Sequence, residues 1–235
     1  MVTIRAKLDH LAIISWAVEA TRVAAMLPAP LVPRTIDRKG HWGLVSMTMI
    51  QDTTLGTTYA QLNERTYVMR ADGTGKGAFF WRSHAATRQA LLVRSLLGAP
   101  EFVADVEVRV RGTSYAFKRN GRLVAKLDLS RAGTTPRRYR ELDVGRAGRL
   151  SANPMIGYTM NRGRLYATVV RHNRIRPRRA KVLSVDPSFM LPAPVIDAAD
   201  KRTPLIALYQ RETPFWIDVP PRPVSHRMSR VRVRP

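Results

Sequence analysis

The sequence predicts a mainly β protein of the α+β class, in which an antiparallel curled sheet or cone-like barrel is flanked by a few helices. Short runs of apolar and β-branched residues recur along the chain, as in β proteins. An Asn-Gly pair, Asn120-Gly121, separates two of these runs and is the strongest short hairpin signal. Valines alternate with charged residues over 102–110, which is typical of a strand with one face in water.

The first part of the chain is expected to pass from a short lead-in to strands. Residues 1–10 carry no clear pattern, and residues 18–27 have apolar side chains at helical spacing up to Pro28. The strands predicted next are residues 41–50, 59–69 and 77–83, the last two joined by a turn at 71–75.

The rest of the chain is expected to hold one clear helix and a β meander. The helix covers residues 85–97 and ends at Gly98. The later strands are predicted at residues 113–117, 122–129, 165–170, 182–185 and 205–209. Residues 130–150 are polar and rich in arginine, which indicates a long loop. Because no repeat or linker divides the chain, we predict a single domain over 1–235 that ends in a basic, proline- and arginine-rich tail at 220–235.

Composition excludes several classes of site. There is no cysteine, so disulfides, thiolate metal ligands and cysteine nucleophiles are ruled out. The five histidines are scattered without metal-binding spacing, and neither a metal nor a cofactor is expected. The apolar stretch 11–18 is far shorter than the roughly 20 residues that span a bilayer. It also lacks a cleavage site, and a cytoplasmic location is expected.

The charge balance admits two interpretations. Lysine and arginine number 40 against 17 acidic residues, a formal net charge of +23, and only 7 of the 40 are lysine. Clustered arginines neutralise phosphates, which indicates a polyanion partner such as nucleic acid. The same excess of arginine, alanine and valine is also what a GC-rich genome produces without selection for binding. Composition alone leaves both interpretations open.

Several segments resemble the bacterial, acetoacetate decarboxylase-like family of unknown function. They cover residues 8–130 in order, and the most specific is Leu62-Asn63-Glu64-Arg65-Thr66-Tyr67-Val68. The others are Trp16-Ala17-Val18, Met26-Leu27-Pro28, Trp42-Gly43-Leu44-Val45, Gly77-Ala78-Phe79-Phe80-Trp81 and Leu96-Leu97-Gly98-Ala99-Pro100. The resemblance implies a twisted antiparallel sheet curled into a cone-like barrel, with helices at its side and a pocket inside.

The chain departs from that family at the residues that perform decarboxylation. In acetoacetate decarboxylases, paired lysines follow the proline, and one forms a Schiff base with the substrate. The matching positions here are Glu101 and Phe102, and a carboxylate cannot form an imine. The family's helper arginine falls at about Trp16, and its pocket glutamate at about Gln61. Schiff-base decarboxylation is therefore not expected.

The residues expected to line a pocket for a small, anionic metabolite follow from the resemblance and from spacing. Gln61, Asn63 and Arg65 are two residues apart and share one face of a strand. An inward guanidinium would bind two oxygens of a carboxylate, although Arg65 could instead pair with Glu64 or Glu101. The ligand-binding candidates are Gln61, Asn63, Arg65, Trp81 and Glu101. If the pocket is catalytic, which the sequence leaves open, Glu101 and Arg65 are the candidate residues.

The alternative function is a basic module that binds nucleic acid or another polyanion. Its candidate residues lie in two predicted loops and are Arg137, Arg138, Arg174, Arg176, Arg178 and Arg179. Tyr139 and His172 are interleaved with these arginines, where their rings would stack on bases. The sequence leaves open whether the chain forms a homo-oligomer.

Overall fold

The computed structural model describes residues 2–86, 101–186 and 203–224, and within them the chain is mainly β, as predicted. The helices are α1 (Ala20–Ala24), α2 (Val144–Ala152) and a 3-10 turn at Arg137–Tyr139. The strands of the first half are β1 (Val2–Glu19), β2 (Leu31–Pro33), β3 (Trp42–Thr54), β4 (Thr57–Arg70), β5 (Gly77–Ala85) and β6 (Glu101–Val103). The later strands are β7 (Val106–Arg111), β8 (Ser114–Arg119), β9 (Arg122–Asp128), β10 (Ile156–Asn161), β11 (Arg164–His172), β12 (Arg178–Arg179), β13 (Lys181–Val185), β14 (Ile206–Val219) and β15 (Arg222–Pro223).

Eleven of these strands form one curled sheet. Its main path runs β14-β1-β3-β4-β5-β10-β11, and β11 also pairs with β14, so the hydrogen-bonded path returns to the strand where it begins. Most neighbours are antiparallel, as predicted, but β5 pairs in parallel with both β10 and β6. A second sheet of four strands, in the order β13-β9-β8-β7, makes up what we call the small sheet.

The two faces of the curled sheet are buried in different ways. On the outer face, residues such as Trp16, Met47 and Leu62 pack against Tyr115 and Phe117 of the small sheet.

The inner face of the same strands packs in part against α2, where side chains such as Leu11 and Tyr67 meet Ala147 and Leu150. The remainder of the inner face surrounds a cavity. Because neighbouring residues of a strand point to opposite faces, β4 divides its side chains between the small sheet and this cavity.

Several predicted strands and turns are confirmed. The predicted strands at 41–50, 59–69 and 77–83 correspond to β3, β4 and β5, and each is longer than predicted. The predicted Asn-Gly hairpin joins β8 to β9, with φ of 50° at Asn120 and 72° at Gly121. Both values lie in the left-handed region that a tight hairpin turn requires.

Other local predictions were wrong. Residues 1–10 are no lead-in, because β1 runs to Glu19 and pairs with β14 on one side and β3 on the other. The loop predicted at 130–150 contains α2, which Asp143 caps by accepting a hydrogen bond from the backbone N–H of Arg146 (2.7 Å). The helix predicted at 18–27 shortens to Ala20–Ala24, and the predicted strand 102–110 is interrupted between β6 and β7.

Most of the predicted helix at 85–97 and the tail from 225 onward lie outside the described residues. In the described ranges, no helix is long and apolar enough to cross a membrane.

Candidate functional site

The inner face of the curled sheet encloses a cavity of about 180 Å³. Strands β1, β3, β4 and β5 supply one wall, β10, β11 and β14 supply the other, and the C-terminal end of α2 closes part of it. Its lining mixes aliphatic and aromatic side chains with hydroxyl, amide and charged groups. The polar residues on the wall are Thr48, Asp52, Thr54, Tyr59, Gln61, Asn63, Arg65, Ser83, Thr159, Thr168, His172 and Thr213.

Gln61, Asn63 and Arg65 all line the cavity, on the face that their spacing predicted. The Gln61 side-chain amide donates a hydrogen bond to the Ser83 hydroxyl (2.7 Å). That hydroxyl in turn donates to the side-chain amide oxygen, Oδ1, of Asn63 (2.6 Å). A fixed chain of amide and hydroxyl groups therefore crosses from β4 to β5 on the cavity wall.

Arg65 is a buried charge, with only 7% of its surface exposed. Its Nη2 donates to the backbone carbonyl of Ser151 in the last turn of α2 (2.7 Å), and its Nε donates to the Tyr67 hydroxyl (3.1 Å). A cation at the C-terminal end of a helix is favourably placed. The guanidinium also lies over the rings of Tyr67 (5.4 Å) and Phe80 (6.0 Å). Neutral groups thus hold this charge in position.

Of the two alternative ion pairs for Arg65, the one with Glu64 is not found, and the one with Glu101 involves a side chain that the structure does not describe. Glu64 points to the opposite face of β4, where its Oε1 lies 3.7 Å from Nε2 of His84. Among the side chains that the structure describes, no carboxylate lies within 4.0 Å of the Arg65 guanidinium. Its positive charge is therefore not cancelled by a described acidic neighbour.

Trp81 does not line the cavity, contrary to the prediction. A bulge between Glu64 and Arg65 breaks the alternation, so that Arg65 pairs with Phe80 and Glu64 pairs with Arg82. Phe80 and Ser83 consequently face the cavity. Trp81 instead packs edge-on against Phe79, at a ring separation of 6.2 Å.

Glu101 occupies a backbone position opposite Ser83, because β6 pairs in parallel with β5. Its side chain, like that of Phe102, lies outside what the structure describes. The described residues that line the cavity include no lysine.

Sequence reasoning missed Asp52, a carboxyl group on the cavity wall with 6% of its surface exposed. Burial raises the pKa of Asp52 from 3.8 to about 7, although hydrogen bonds from Thr54 and Tyr59 oppose the rise and the nearby charge of Asp9 adds to it. The Thr54 hydroxyl donates to Oδ1 at 2.7 Å. A carboxyl group that titrates near neutrality is able both to take up and to release a proton.

The arginines of the alternative site lie at the surface, except that Arg179 is half-buried. The two segments that carry them meet at the start of β14, where Arg179 donates to Thr135 (3.1 Å) and Arg138 donates to the Thr203 carbonyl (3.0 Å). The guanidinium of Arg178 lies over the Tyr209 ring (5.2 Å).

The two predicted stacking rings are not available at that surface. Tyr139 is buried against α2 and covered by the guanidinium of Arg138 (4.6 Å). His172 lines the cavity, and its Nδ1 contacts the Asn173 carbonyl oxygen (2.8 Å). In the described ranges, no three histidine, aspartate or glutamate side chains cluster closely enough to hold a metal ion.

Comparison with known proteins agrees with the fold. The profile of the DUF2071 family, whose description is "Uncharacterized conserved protein", matches residues 5–213. No curated protein matches the sequence.

Among solved structures, an acetoacetate decarboxylase-like enzyme from Sphingomonas wittichii RW1 is 14% identical, with a TM-score of 0.57 over 94% of this chain and 92% of that one. Acetoacetate decarboxylase from Legionella pneumophila is 13% identical, with a TM-score of 0.59 over 94% and 87%. The enduracididine biosynthesis enzyme MppR, complexed with pyruvate, is 10% identical, with a TM-score of 0.54 over 94% and 90%. Such low identities establish a shared fold and no more.

Proposed function

We propose that this chain, which belongs to the DUF2071 family, binds a small organic acid or a related anionic metabolite in the cavity of its curled sheet. The observation that carries the proposal is Arg65, a buried guanidinium on the cavity wall without a described carboxylate beside it. Burying an uncompensated charge is costly, and an anionic ligand would compensate it. In this proposal the ligand takes the place that an acidic side chain would otherwise fill.

The rest of the cavity wall suits such a ligand. Asn63 and Gln61 line the cavity and are linked through Ser83, so their side-chain amides are fixed in its wall. Apolar side chains such as Ile50 and Phe80 would contact the carbon skeleton. The fold relative MppR is described as complexed with pyruvate, itself a small carboxylate. A mostly apolar pocket with a few fixed polar groups is the usual form of a small-molecule site.

The proposal excludes imine chemistry. The residues that follow Pro100 are Glu101 and Phe102, neither of which carries an amine. We expect that borohydride treatment in the presence of acetoacetate or pyruvate leaves the intact mass of the chain unchanged. A stable adduct confined to one lysine would overturn this part of the proposal.

The first experiment is native mass spectrometry of the full chain, followed by calorimetric titration with pyruvate and longer 2-oxo acids. We expect a discrete added mass of metabolite size, and the same spectrum counts the copies of the chain in the assembly. In Arg65→Met, affinity should fall about 100-fold, since two charge-assisted hydrogen bonds are each worth about 1.5 kcal/mol or more.

Arg109→Met is the matched control, because Arg109 is an exposed arginine on the small sheet. It should bind the acid within about twofold of the wild type. If Arg65→Met stays folded by circular dichroism and binds as tightly as the wild type, the proposed anion site is wrong.

A second candidate function is polyanion binding by the exposed arginines, and their convergence at the start of β14 favours it. Positive charges also lie close together beside α2, where burial and the charge of Arg146 lower the pKa of Arg34. Such a surface would bind phosphates with little sequence preference and a steep dependence on salt.

A triple variant tests this candidate, with Arg174, Arg176 and Arg178 changed to Gln and duplex DNA binding measured at about 50 and about 200 mM salt. Its control triple changes Arg109, Arg122 and Arg131, all exposed. If both triple variants weaken DNA binding equally, the loss is explained by the lower net charge of the protein, and this surface is not a polyanion-binding site.

A further inference from the structure

The cavity carries opposite charges at its two ends. In the pairing of β3 with β4, Arg65 lies opposite Ser46, whereas Asp52 lies opposite Tyr59. Six residues of strand separate the two positions, which corresponds to about 20 Å at roughly 3.3 Å per residue. Gln61, on the same wall, lies between them. A molecule as small as pyruvate, held at the Arg65 end, would leave the Asp52 end unused.

Asp52 has hydrogen-bond partners but no described cation. Thr54 and Tyr59 donate to its carboxyl group, and both are neutral. Lys7, on the neighbouring strand β1, is paired with Asp9, with its Nζ 3.0 Å from that carboxylate. Among the side chains that the structure describes, no lysine or arginine lies within 4.0 Å of the Asp52 carboxyl group. A carboxylate so buried would gain from a cation brought by a ligand.

We propose that the Asp52 end of the cavity, with Thr54 and Tyr59, is a subsite for a protonated amine. An ammonium group has three N–H donors and no acceptor, which matches a carboxylate that accepts from its neighbours. The inference rests on the proposed function for the Arg65 end, and together the two ends define a bipolar cavity. Such a cavity selects an anion at one end and a cation at the other.

The amine has two possible sources. It is either the distal group of one elongated ligand, such as an ω-amino acid, or a second small molecule that binds beside the acid. A ligand of the first kind must bridge most of the distance between the two subsites, so its affinity should rise with chain length and then fall. Independent molecules would show no such optimum.

Amine binding should depend on pH with a definite sign. Burial raises the pKa of Asp52 to about 7, so below that pH the carboxyl is mainly neutral and loses its attraction for a cation. Affinity should therefore fall as much as tenfold per pH unit below about pH 7 and level off above it. The other ionisable groups around this end are Asp9 and Lys7 on β1, Tyr59 on β4, His172 on β11 and Glu212 on β14.

The test is calorimetry at pH 8 with ω-amino carboxylates of increasing length, the matching simple carboxylates, and n-alkylamines alone. We expect the best amino carboxylate to bind at least tenfold more tightly than its deaminated analogue. Asp52→Asn should abolish that advantage and its pH dependence while it keeps carboxylate binding. The matched control is Asp9→Asn, because Asp9 is paired with Lys7 and does not line the cavity. It should retain the advantage.

The possible negative results distinguish the amine subsite from the proposed anion site. If carboxylates bind through Arg65 and the amine adds no affinity, or if Asp52→Asn keeps the advantage, the amine subsite is wrong and the anion site stands. If no carboxylate binds but alkylamines bind in an Asp52-dependent way, the proposed function fails and the subsite stands. Circular dichroism of both variants separates loss of binding from loss of fold.

Discussion

The two ends of the cavity hold buried charge by different means. At one end, the Arg65 guanidinium is hydrogen-bonded to the Ser151 carbonyl and the Tyr67 hydroxyl, and an arginine does not lose its proton in a protein. At the other end, burial disfavours the charged form of Asp52; the charge of Asp9 adds to this effect, and the hydrogen bonds from Thr54 and Tyr59 oppose it. The Arg65 end is therefore permanently positive, whereas the Asp52 end changes its charge near neutral pH.

The largest expected effect of this difference is on stability as a function of pH. A pKa raised from 3.8 to about 7 in the folded state means that the folded protein keeps a proton that the unfolded chain releases between those values. The contribution of the protonated Asp52 to the stability of the folded state is thus fully present below about pH 4 and is lost as pH rises to about 7. The loss is up to about 4 kcal/mol in the free energy of unfolding.

Urea unfolding of the wild type and Asp52→Asn between about pH 4 and pH 8 measures this loss. The difference between the two proteins removes the effect of every other titrating group. The free energy of unfolding of Asp52→Asn, relative to that of the wild type, should rise steadily up to about pH 7 and stay constant above it. A difference that stays constant over the range would show that Asp52 is ionised throughout.

At the Arg65 end, we expect the substitution Arg65→Met to lower the free energy of unfolding by a smaller amount, which does not depend on pH. Arg65→Met keeps most of the volume of the side chain but removes the donors to Ser151 and Tyr67, at a cost of about 2–3 kcal/mol. Thermal and urea unfolding at about pH 5 and about pH 8 should give the same loss. Arg109→Met, at an exposed position, should lie within about 0.5 kcal/mol of the wild type. A loss that changed with pH would mean that Arg65 is coupled to a titrating group.

Sequence reasoning reached one end of the cavity and missed the other. The spacing of Gln61, Asn63 and Arg65 predicted a shared face because β4 is regular against β3 along their whole length. Asp52 was missed because the predicted strand stopped at residue 50, whereas β3 continues to Thr54 and turns through Leu55 and Gly56. The signal was present, since threonine pairs flank Leu55-Gly56 symmetrically, as in a two-residue hairpin.

Two other errors have local physical causes that a pattern of polarity does not reveal. Trp81 faces away from the cavity because a bulge opposite Glu64 and Arg65 shifts the alternation of β5, and nothing in the sequence marks a bulge there. The helix α2 was predicted as loop because arginines dominate its exposed face. Its signals were Asp143 as N-cap and the buried Ala147 and Leu150 at helical spacing.

The chain of polar groups between the two ends should contribute less than either charge. Ser83→Ala removes the hydroxyl that accepts from Gln61 and donates to Asn63. We expect the free energy of unfolding to fall by about 1–2 kcal/mol, because these amides are buried. The control is Ser184→Ala, at an exposed position of β13, which should change stability by less than about 0.5 kcal/mol. If Ser83→Ala and Ser184→Ala lowered the free energy of unfolding equally, these hydrogen bonds would not stabilise the cavity wall.

The smallest expected effect adjusts the Asp52 end without removing its charge. The Thr54 hydroxyl donates to Asp52 and lowers the pKa of that carboxyl, so Thr54→Val should move the pH midpoint of the Asp52 stability loss upward. One hydrogen bond to a charged group corresponds to about one pH unit. Thr53→Val is the matched control, since Thr53 bonds to Thr58 on the exposed side of the same hairpin and should leave the midpoint in place. A midpoint that moved downward would mean that Thr54 stabilises the protonated carboxyl. In that case, the Asp52 end would favour a neutral hydrogen-bonding group over an amine.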